Sequence, residues 1–160
     1  MVRRPGDLLD TPRTFTLVAG AAEADTRLNA FDAALLKAGI GNVNLLKVSS
    51  ILPPGAVEAP HVELPPGALV PTAYGAMTSD VAGELISAAV AVGIGDDGSY
   101  GVIMEFSGRC SREEALATVK HMTEEAFRYR GRTLTRVLAQ GVEHRVDRIG
   151  CALAAVALWY

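Results

Sequence analysis

Residues 84–106 read ELISAAVAVGIGDDGSYGVIMEF and predict a β-hairpin. The first half, Glu84 to Ile94, is almost continuously apolar, which indicates a strand buried on both faces. Residues 95–99 (GDDGS) are glycines, aspartates and a serine, which are typical of a turn. Residues 100–106 are apolar enough to pair with the preceding strand. Residues 93–98 also match the dinucleotide pattern G-x-G-x-x-G. We interpret them as the hairpin turn, because a strand follows them and their two aspartates would repel a pyrophosphate.

Two segments have the periodicity of amphipathic helices. Residues 25–38 have apolar side chains at helical spacing, with the acidic residues 23–25 suiting a helix start and Gly39 a helix stop. Ser111 and Glu114 form a capping box before a second helix, which Gly131 is predicted to terminate. The apolar face of this second helix is predicted to contain Ala115, Val119, Met122, Ala126 and Tyr129.

The remaining apolar segments predict strands on either side of a proline-rich stretch. Residues 51–67 contain too many prolines for a helix or a central strand and predict one long ordered loop or a linker. The predicted order of elements is β-α-β-β-β-β-α-β-β. Because several strands are consecutive, an antiparallel or mixed α+β sandwich fits better than a doubly wound sheet. These further strands are predicted at residues 14–20, 43–48, 68–77, 132–146 and 150–160.

Length and composition limit the class of protein. The chain has 160 residues, of which 49% are apolar, so residues 1–160 can form a single domain around one core. Its net charge is -3 and no long basic stretch is present, so we expect no nucleic-acid partner. Pro5, Asp7 and Asp10 interrupt the apolar core that a signal peptide would need, and the longest apolar run, residues 151–160, is too short for a membrane helix. We therefore expect a cytoplasmic protein. The cysteines and histidines are scattered, which predicts no metal site.

The stretch from Gly39 to Ala56, GIGNVNLLKVSSILPPGA, is the most informative for function. A predicted strand ends there in two adjacent hydroxyls, Ser49 and Ser50, and the prolines that follow hold the chain in a bend. Two serines before a proline-rich loop are also common in ordinary turns with local hydrogen bonds. From the residues alone, both interpretations remain open.

This stretch closely resembles the processing segment of the pyruvoyl-dependent arginine decarboxylases. Four other segments resemble the same family in order and spacing, and together they cover most of the chain after about residue 14. They are NAFDAALLKAGIGNVNL (29–45), LPPGALVPTAYGAMTSDVAGELISAA (64–89), GVIMEFSGRCSREEA (101–115) and VEHRVDRIGCALAAVALWY (142–160). The resemblance implies a layered α-β-β-α sandwich. It also implies a homotrimer of processed units with sites between neighbouring subunits, and it leaves a dimer of trimers open.

The resemblance further implies a proenzyme that cleaves itself between Ser49 and Ser50. The products would be a β chain of residues 1–49 and an α chain of residues 50–160. Ser50 would become a pyruvoyl group, a cofactor that replaces pyridoxal phosphate and forms a Schiff base with the substrate amine. The implied reaction converts L-arginine to agmatine and carbon dioxide without a metal.

Asn44 and Glu105 are two further candidates for catalysis. In the family pattern Asn44 lies close to the cleaved bond, where its amide could stabilise an oxyanion, although it could also be a polar residue on the outer face of a strand. Glu105 is the only charged residue of the apolar segment 102–106, so desolvation should raise its pKa towards the range useful for a proton donor. It matches the catalytic glutamate of the family, and the alternative is a surface carboxylate on an edge strand.

Asp32 is the candidate for substrate binding. It falls between Leu28 and Leu36 on the first helix, on the side predicted to be apolar, where an unpaired carboxylate would be costly. We therefore expect a cationic partner. The resemblance implies the guanidinium of the substrate arginine, and a lysine or arginine of the protein is the alternative.

Two other functions remain open at this point. One is a pyruvoyl decarboxylase for another amino acid, since Asp32 would also bind a shorter cation. The other is an uncleaved, non-catalytic trimer that serves as a scaffold or ligand-binding protein. The presence of Ser50, Asn44 and Glu105 together argues against the scaffold, because an inactive relative has no chemical need for all three.

Overall fold

The computed structural model describes residues 10–160, so Pro5 and Asp7, which argue against a signal peptide, lie outside the described residues. The described chain contains nine strands and two helices. In chain order they are β1 (Thr14–Glu23), α1 (Arg27–Ala38), β2 (Asn44–Lys47), β3 (Ile51–Leu52), β4 (Val57–Glu58), β5 (Leu69–Ser79), β6 (Leu85–Gly95), β7 (Gly101–Gly108), α2 (Arg112–Tyr129), β8 (Leu134–Arg145) and β9 (Gly150–Trp159).

The strands form two sheets that pack face to face. Sheet A has the order β2-β5-β9-β1-β4, and sheet B has the order β3-β7-β6-β8. The pairs β1–β4 and β2–β5 are parallel and the others are antiparallel. Helix α1 packs on β1 and β9 of sheet A, and α2 packs on the three long strands of sheet B. The predicted α+β sandwich with mixed sheets is therefore confirmed.

The central strands are buried on both faces, which explains their continuous apolar sequence. In β9, Ala154 and Val156 belong to the core between the two sheets, whereas Leu153 and Ala155 pack towards α1. Strand β6 divides in the same way between the inter-sheet core and α2. Because side chains alternate along a strand, each of these strands contributes residues both to the core between the sheets and to the core beneath a helix.

The predicted hairpin is confirmed. Strands β6 and β7 pair antiparallel from Ser87 opposite Gly108 to Gly93 opposite Val102. The proline-rich stretch is an ordered loop that contains the two short strands β3 and β4, neither of which was predicted. Each has only two residues, too few for a periodic signal, and each pairs at the margin of a sheet.

Both helices are confirmed, with corrections to their boundaries and faces. Glu23 does not start α1, because it is the last residue of β1, and the side chain of Thr26 caps the helix by accepting from the amide of Asn29. Gly39 ends α1 in the left-handed conformation at a φ of 83°. The capping box of α2 is present as predicted. Tyr129 was wrongly placed on the buried face of α2, since it is 77% exposed.

Neither helix within residues 10–160 is long and apolar enough to cross a membrane.

Candidate active site

The Ser49–Ser50 bond lies in a short connection between the two sheets. Lys47 is the last residue of β2 in sheet A, and Ile51 is the first residue of β3 in sheet B. Ser49 is exposed and Ser50 is half-buried, and neither belongs to a strand. The bond therefore lies outside the hydrogen-bonded ladders, in a segment whose two ends are held by different sheets.

Residue 50 is anchored beside the strand that contains Glu105. The carbonyl oxygen of Ser50 accepts a hydrogen bond of 2.7 Å from the amide of Ile103. This bond extends by one pair the antiparallel register of β3 and β7, in which Leu52 lies opposite Gly101. Glu105 is two residues beyond Ile103 on the same strand, so Ser50 and Glu105 are diagonal neighbours. The Cα atoms of such a pair are roughly 7–8 Å apart.

Ser50 and Glu105 also share one face of sheet B. Leu52 and Ile103 both belong to the core between the sheets. Because side chains alternate along a strand, Ser50, two residues before Leu52, and Glu105, two residues after Ile103, occupy positions on this inner face. The structure thus brings together two of the residues that the sequence identified as catalytic candidates.

Glu105 lies where the two sheets approach closely. A Cβ placed at Gly75 of β5 would stand 3.5 Å from Cβ of Glu105 and 3.3 Å from the carbonyl oxygen of Phe106. The Ser107 hydroxyl donates across the gap to the carbonyl of Ala76 at 3.1 Å. Burial raises the pKa of the Glu105 carboxyl above its ordinary value, and the positive charge of Lys47 acts in the opposite direction. A side chain with a raised pKa in this position can hold a proton for transfer.

Asn44 lies at the opposite end of β2 from the Ser49–Ser50 bond. Its side-chain amide donates to the carbonyl of Gly67 at 3.1 Å, and the residue is exposed. The backbone ladder continues to Val48, whose amide donates to Thr72, so the chain is extended over this interval. Four extended residues rise about 13 Å, and the Asn44 amide therefore does not lie beside the Ser49–Ser50 bond of its own chain.

Asp32 lies in an open pocket on the outer side of α1. The pocket has a volume of about 360 Å³, and its lining residues are Leu28, Asn29, Phe31, Asp32 and Leu35. The expectation that Asp32 would fall on the buried side of the helix is wrong. The buried residues of α1 are Ala30, Ala34, Leu35 and Ala38.

The stripe that contains Asp32 faces solvent in the single chain. Leu28 is 75% exposed, Leu36 is 52% exposed, and Asp32 between them is also exposed. Within residues 10–160, no lysine or arginine forms an ion pair with Asp32, so the alternative of a partner within the chain is not realised there. Asp32 is on the α1 side of sheet A, whereas Glu105 is on the face of sheet B towards the inter-sheet core.

Sequence reasoning missed Lys47 and Tyr74. The Lys47 ammonium lies 4.4 Å from the centre of the Tyr74 ring, and this ring packs against Phe31 at a centroid distance of 6.1 Å. Lys47 is the one charged residue in the apolar segment VNLLKV directly before the two serines, and this was the available signal. Its contact with Tyr74 could be identified only once β2 was placed beside β5.

No group of three or more histidine, cysteine, aspartate or glutamate side chains within residues 10–160 is arranged to hold a metal ion.

Comparison with known proteins identifies the family of the chain. A family model described as pyruvoyl-dependent arginine decarboxylase matches residues 14–160. A protein of Methanocaldococcus jannaschii with this name is 57% identical over 150 residues, which cover 93% of this chain and 91% of the relative. A protein of Pyrococcus furiosus with the same name is 44% identical over 158 residues, covering 93% and 96% of the two chains. The chain therefore belongs to the pyruvoyl-dependent arginine decarboxylase family.

Proposed function

We propose that this protein is a self-processing decarboxylase that converts L-arginine to agmatine and carbon dioxide. Membership of the family supports the reaction class and the substrate. The observation that carries the proposal for this chain is the hydrogen bond from Ile103 to the Ser50 carbonyl, because it fixes the reactive residue beside Glu105.

Self-processing would begin with Ser50. Its Oγ attacks the carbonyl carbon of Ser49, and the acyl group moves from the nitrogen to the oxygen of residue 50. Elimination of the ester releases the Ser49 carboxylate and leaves a dehydroalanine, which water converts to a pyruvoyl group as ammonia departs. The exposed Ser49 and the position of the bond outside both ladders support this chemistry, since the carbonyl and the hydroxyl can approach each other without breaking a strand pair.

The residues present fit a pyruvoyl group at position 50. The Ile103 amide would hold the adjacent carbonyl, and the close contact of β5 with β7 at Gly75 would exclude water from one side of the group. When formed, the group supplies an electron sink for the pair of electrons that carbon dioxide leaves behind. Glu105 would then deliver a proton to the α-carbon of the substrate, and burial of its carboxyl supports that role because it favours the protonated form.

Asp32 is proposed to bind the guanidinium of arginine. A carboxylate accepts two parallel hydrogen bonds from this group, and Asp32 is exposed in a pocket with apolar walls. In a single chain Asp32 and Asn44 do not lie beside Ser50 and Glu105. A complete site on this proposal therefore combines residues of neighbouring copies, which supports a homotrimer of processed units.

The exposed leucines beside Asp32 also favour such an assembly. Leu28 and Leu36 would lose water-exposed apolar surface if a neighbouring subunit covered α1. We further propose that the whole chain is one domain and that it works in the cytoplasm. Both cysteines, Cys110 and Cys151, are free thiols, as is usual in reducing compartments.

Intact mass combined with release of carbon dioxide from arginine tests this proposal. The wild type is expected to separate into chains 1–49 and 50–160 under denaturing conditions and to release carbon dioxide from arginine. Ser50→Ala should remain one chain and be inactive, because alanine has no oxygen for the attack. Ser49→Ala is the matched control and should still cleave, since only the carbonyl of residue 49 takes part.

Three outcomes would contradict the proposal. An intact wild-type chain would favour the non-catalytic scaffold, and efficient cleavage of Ser50→Ala would contradict attack by the serine oxygen. A cleaved wild type that decarboxylates another amino acid but not arginine would contradict the substrate.

A further inference from the structure

The strands β5 and β7 each have a free edge near the Ser49–Ser50 bond. Strand β2 covers β5 only from Leu69 to Thr72. Strand β3 covers β7 only up to Val102. Residues 73–79 of sheet A and residues 104–108 of sheet B therefore have no strand beside them on this side of the sandwich. The contacts that join β5 to β7 determine how far apart the two sheets are there.

The first connection between these edges is the chain that contains the Ser49–Ser50 bond. The amide of Val48 donates to the carbonyl of Thr72 on β5 at 3.1 Å. Two residues later, the carbonyl of Ser50 accepts from the amide of Ile103 on β7 at 2.7 Å. The backbone of residues 48–50 is thus a covalent bridge between β5 and β7. The proposed cleavage cuts this bridge in its middle.

The second connection is a hydrogen bond. The Ser107 hydroxyl donates to the carbonyl of Ala76 at 3.1 Å, and within residues 10–160 it is the only hydrogen bond between β5 and β7. Ala76 is four residues beyond Thr72, and Ser107 is four residues beyond Ile103. Because backbone carbonyls alternate in direction along a strand, those of Thr72 and Ala76 point towards the same free edge. The two connections therefore join the same pair of edges.

Glu105 lies between the two connections. It is midway between Ile103 and Ser107 on β7, and all three occupy positions on the face towards the inter-sheet core. A Cβ at Gly75 of β5 would be 3.5 Å from Cβ of Glu105, so the strands are in close contact at this point. The position of Glu105 therefore depends on the two connections that flank it.

The opposite side of the sandwich has connections of its own. There His144 of β8 forms a hydrogen bond of 2.6 Å with Glu23 of β1, and Arg136 of β8 donates to Glu58 of β4 at 3.5 Å. Neither of these bonds involves the segment that is cut. Loss of the Ser107 bond should consequently separate the sheets on the side of Glu105 and leave the opposite side in place.

We propose that Ser107 is a positioning residue that keeps β5 and β7 together beside Glu105 once the Ser49–Ser50 bond has been cut. In the uncleaved chain the covalent bridge and the Ser107 bond act together. Cleavage removes the first and leaves the second, so the hydroxyl becomes more important when the reactive group forms. The inference rests on the proposed cleavage and on the proposed role of Glu105 as proton donor.

Ser107→Ala tests the inference through the kinetics of decarboxylation. The variant should cleave itself like the wild type, because the covalent bridge is still intact at that stage, and intact mass checks this. After cleavage, kcat for arginine should be roughly tenfold lower, because Glu105 is no longer held in place. KM should stay within about twofold, since Ser107 is not among the residues proposed to bind arginine. Ser107→Thr keeps the hydroxyl and should restore kcat.

Ser99→Ala is the matched control. Ser99 is an exposed serine in the turn between β6 and β7, and its hydroxyl forms no hydrogen bond with the part of the chain that the structure describes. Its replacement removes the same group from a neighbouring part of the same hairpin. It should leave cleavage and kcat at the wild-type values.

Hydrogen exchange separates this inference from the proposed function. Mass spectrometry of peptides from residues 69–79 and 101–108 reports opening of the two edges without any turnover. In the cleaved protein, Ser107→Ala should make these amides exchange about three- to tenfold faster. In the Ser50→Ala background, where the covalent bridge is intact, the same replacement should change exchange by less than about twofold.

Three results would overturn the inference. Equal acceleration in cleaved and uncleaved protein would make the Ser107 bond a structural contact without a special role after cleavage. No acceleration in either protein would show that the bond does not hold the edges together. Failure of Ser107→Ala to cleave itself would mean that the hydroxyl acts before the cut. Near-normal turnover of Glu105→Gln, by contrast, would contradict the proposed proton donor and not the bridge, which the exchange measurement tests separately.

Discussion

Glu23 joins the end of β1 to the turn between β8 and β9, and replacing it offers a quantitative test of the structure. One carboxylate oxygen accepts hydrogen bonds from the amide of Asp147 at 3.0 Å and from Nε2 of His144 at 2.6 Å, and the other accepts from the amide of Arg148 at 3.1 Å. The Glu23 side chain is 25% exposed. The carboxylate thus satisfies two backbone donors of a turn that would otherwise depend on water.

The charge of Glu23 is stabilised in the folded protein. Desolvation alone would raise its pKa, but the hydrogen bonds from Asp147, His144 and Arg148 outweigh it and lower the pKa from 4.5 to about 2. Because each pKa unit corresponds to about 1.4 kcal/mol, the shift corresponds to at most about 3.5 kcal/mol of folding stability. Solvent screening at this partly exposed site reduces the expected contribution to about 1–2 kcal/mol.

Glu23→Gln should therefore lower the free energy of unfolding by about 1–2 kcal/mol at pH 7. Glutamine has nearly the same shape but no charge, and it places an amide where Arg148 needs an acceptor. A carboxylate with a lowered pKa contributes its full stability above the unfolded value of 4.5 and loses it as the pH falls through about 2. The difference between the two proteins should consequently be constant above about pH 5 and shrink towards pH 2.

Urea unfolding followed by circular dichroism measures this difference. The Ser50→Ala background keeps the chain in one piece, and a fixed protein concentration keeps any contribution from assembly constant. Glu63→Gln is the control, because Glu63 is exposed and has no hydrogen bond or ion pair with residues 10–160. A loss that is the same at pH 3 and pH 7, or no loss at pH 7, would refute the reasoning.

Two further predictions concern the proposed site. Glu105→Gln should still cleave itself but decarboxylate arginine roughly 10²-fold more slowly or worse, since it lacks the proton for the α-carbon. Single-turnover release of carbon dioxide checks this, and near-normal turnover would assign the donor elsewhere. Asp32→Asn should cleave normally and lose about 2–5 kcal/mol of transition-state binding for arginine. Values of kcat/KM for arginine, lysine and ornithine decide it, because an equal loss on all three would make Asp32 structural.

The long elements could be predicted because their pattern is local. Residues 84–94 are apolar without interruption because both faces of β6 are covered, and Gly39 ends α1 in a conformation that glycine adopts without strain. The helix start was predicted incorrectly from Glu23, which is the last residue of β1. An acidic residue before a helix suits its first turn, but the donors that bind this carboxylate come from residues 147 and 148, far away in the sequence.

The apolar side of α1 was predicted incorrectly for a physical reason. Leu28, Asp32 and Leu36 follow one another at intervals of four residues, and such a stripe has the same appearance whether it covers its own core or lies on the surface. The small residues Ala30 and Ala34 pack under the helix instead, because α1 lies close to sheet A. Gly20 of β1 shows how close, since a Cβ there would stand 2.6 Å from the carbonyl oxygen of Ala34.

The sequence indicated Ser50 and Glu105 as candidates, but it did not indicate that the two lie on neighbouring strands. Ser50 is placed beside the strand of Glu105 by the pairing of β3 with β7, and Lys47 is placed beside Tyr74 by the pairing of β2 with β5. Both connections depend on short strands at sheet margins, where two to four residues give no periodic signal. A short motif is therefore apparent in the sequence, whereas the residues that surround it are determined by tertiary pairing.

The position of the Ser49–Ser50 bond also indicates how the fold would survive the proposed cleavage. The bond connects β2 of sheet A to β3 of sheet B. Strand β2 keeps its partner β5 across the cut, and strand β3 keeps its partner β7 within residues 50–160. Residues 1–49 further contribute β1, which pairs with β9 along its whole length from Thr14 opposite Trp159 to Glu23 opposite Gly150. Cleavage would remove a connection between sheets and no ladder within them. A chain can thus convert one of its own serines into a reactive group at this point without losing the two sheets that hold that group in place.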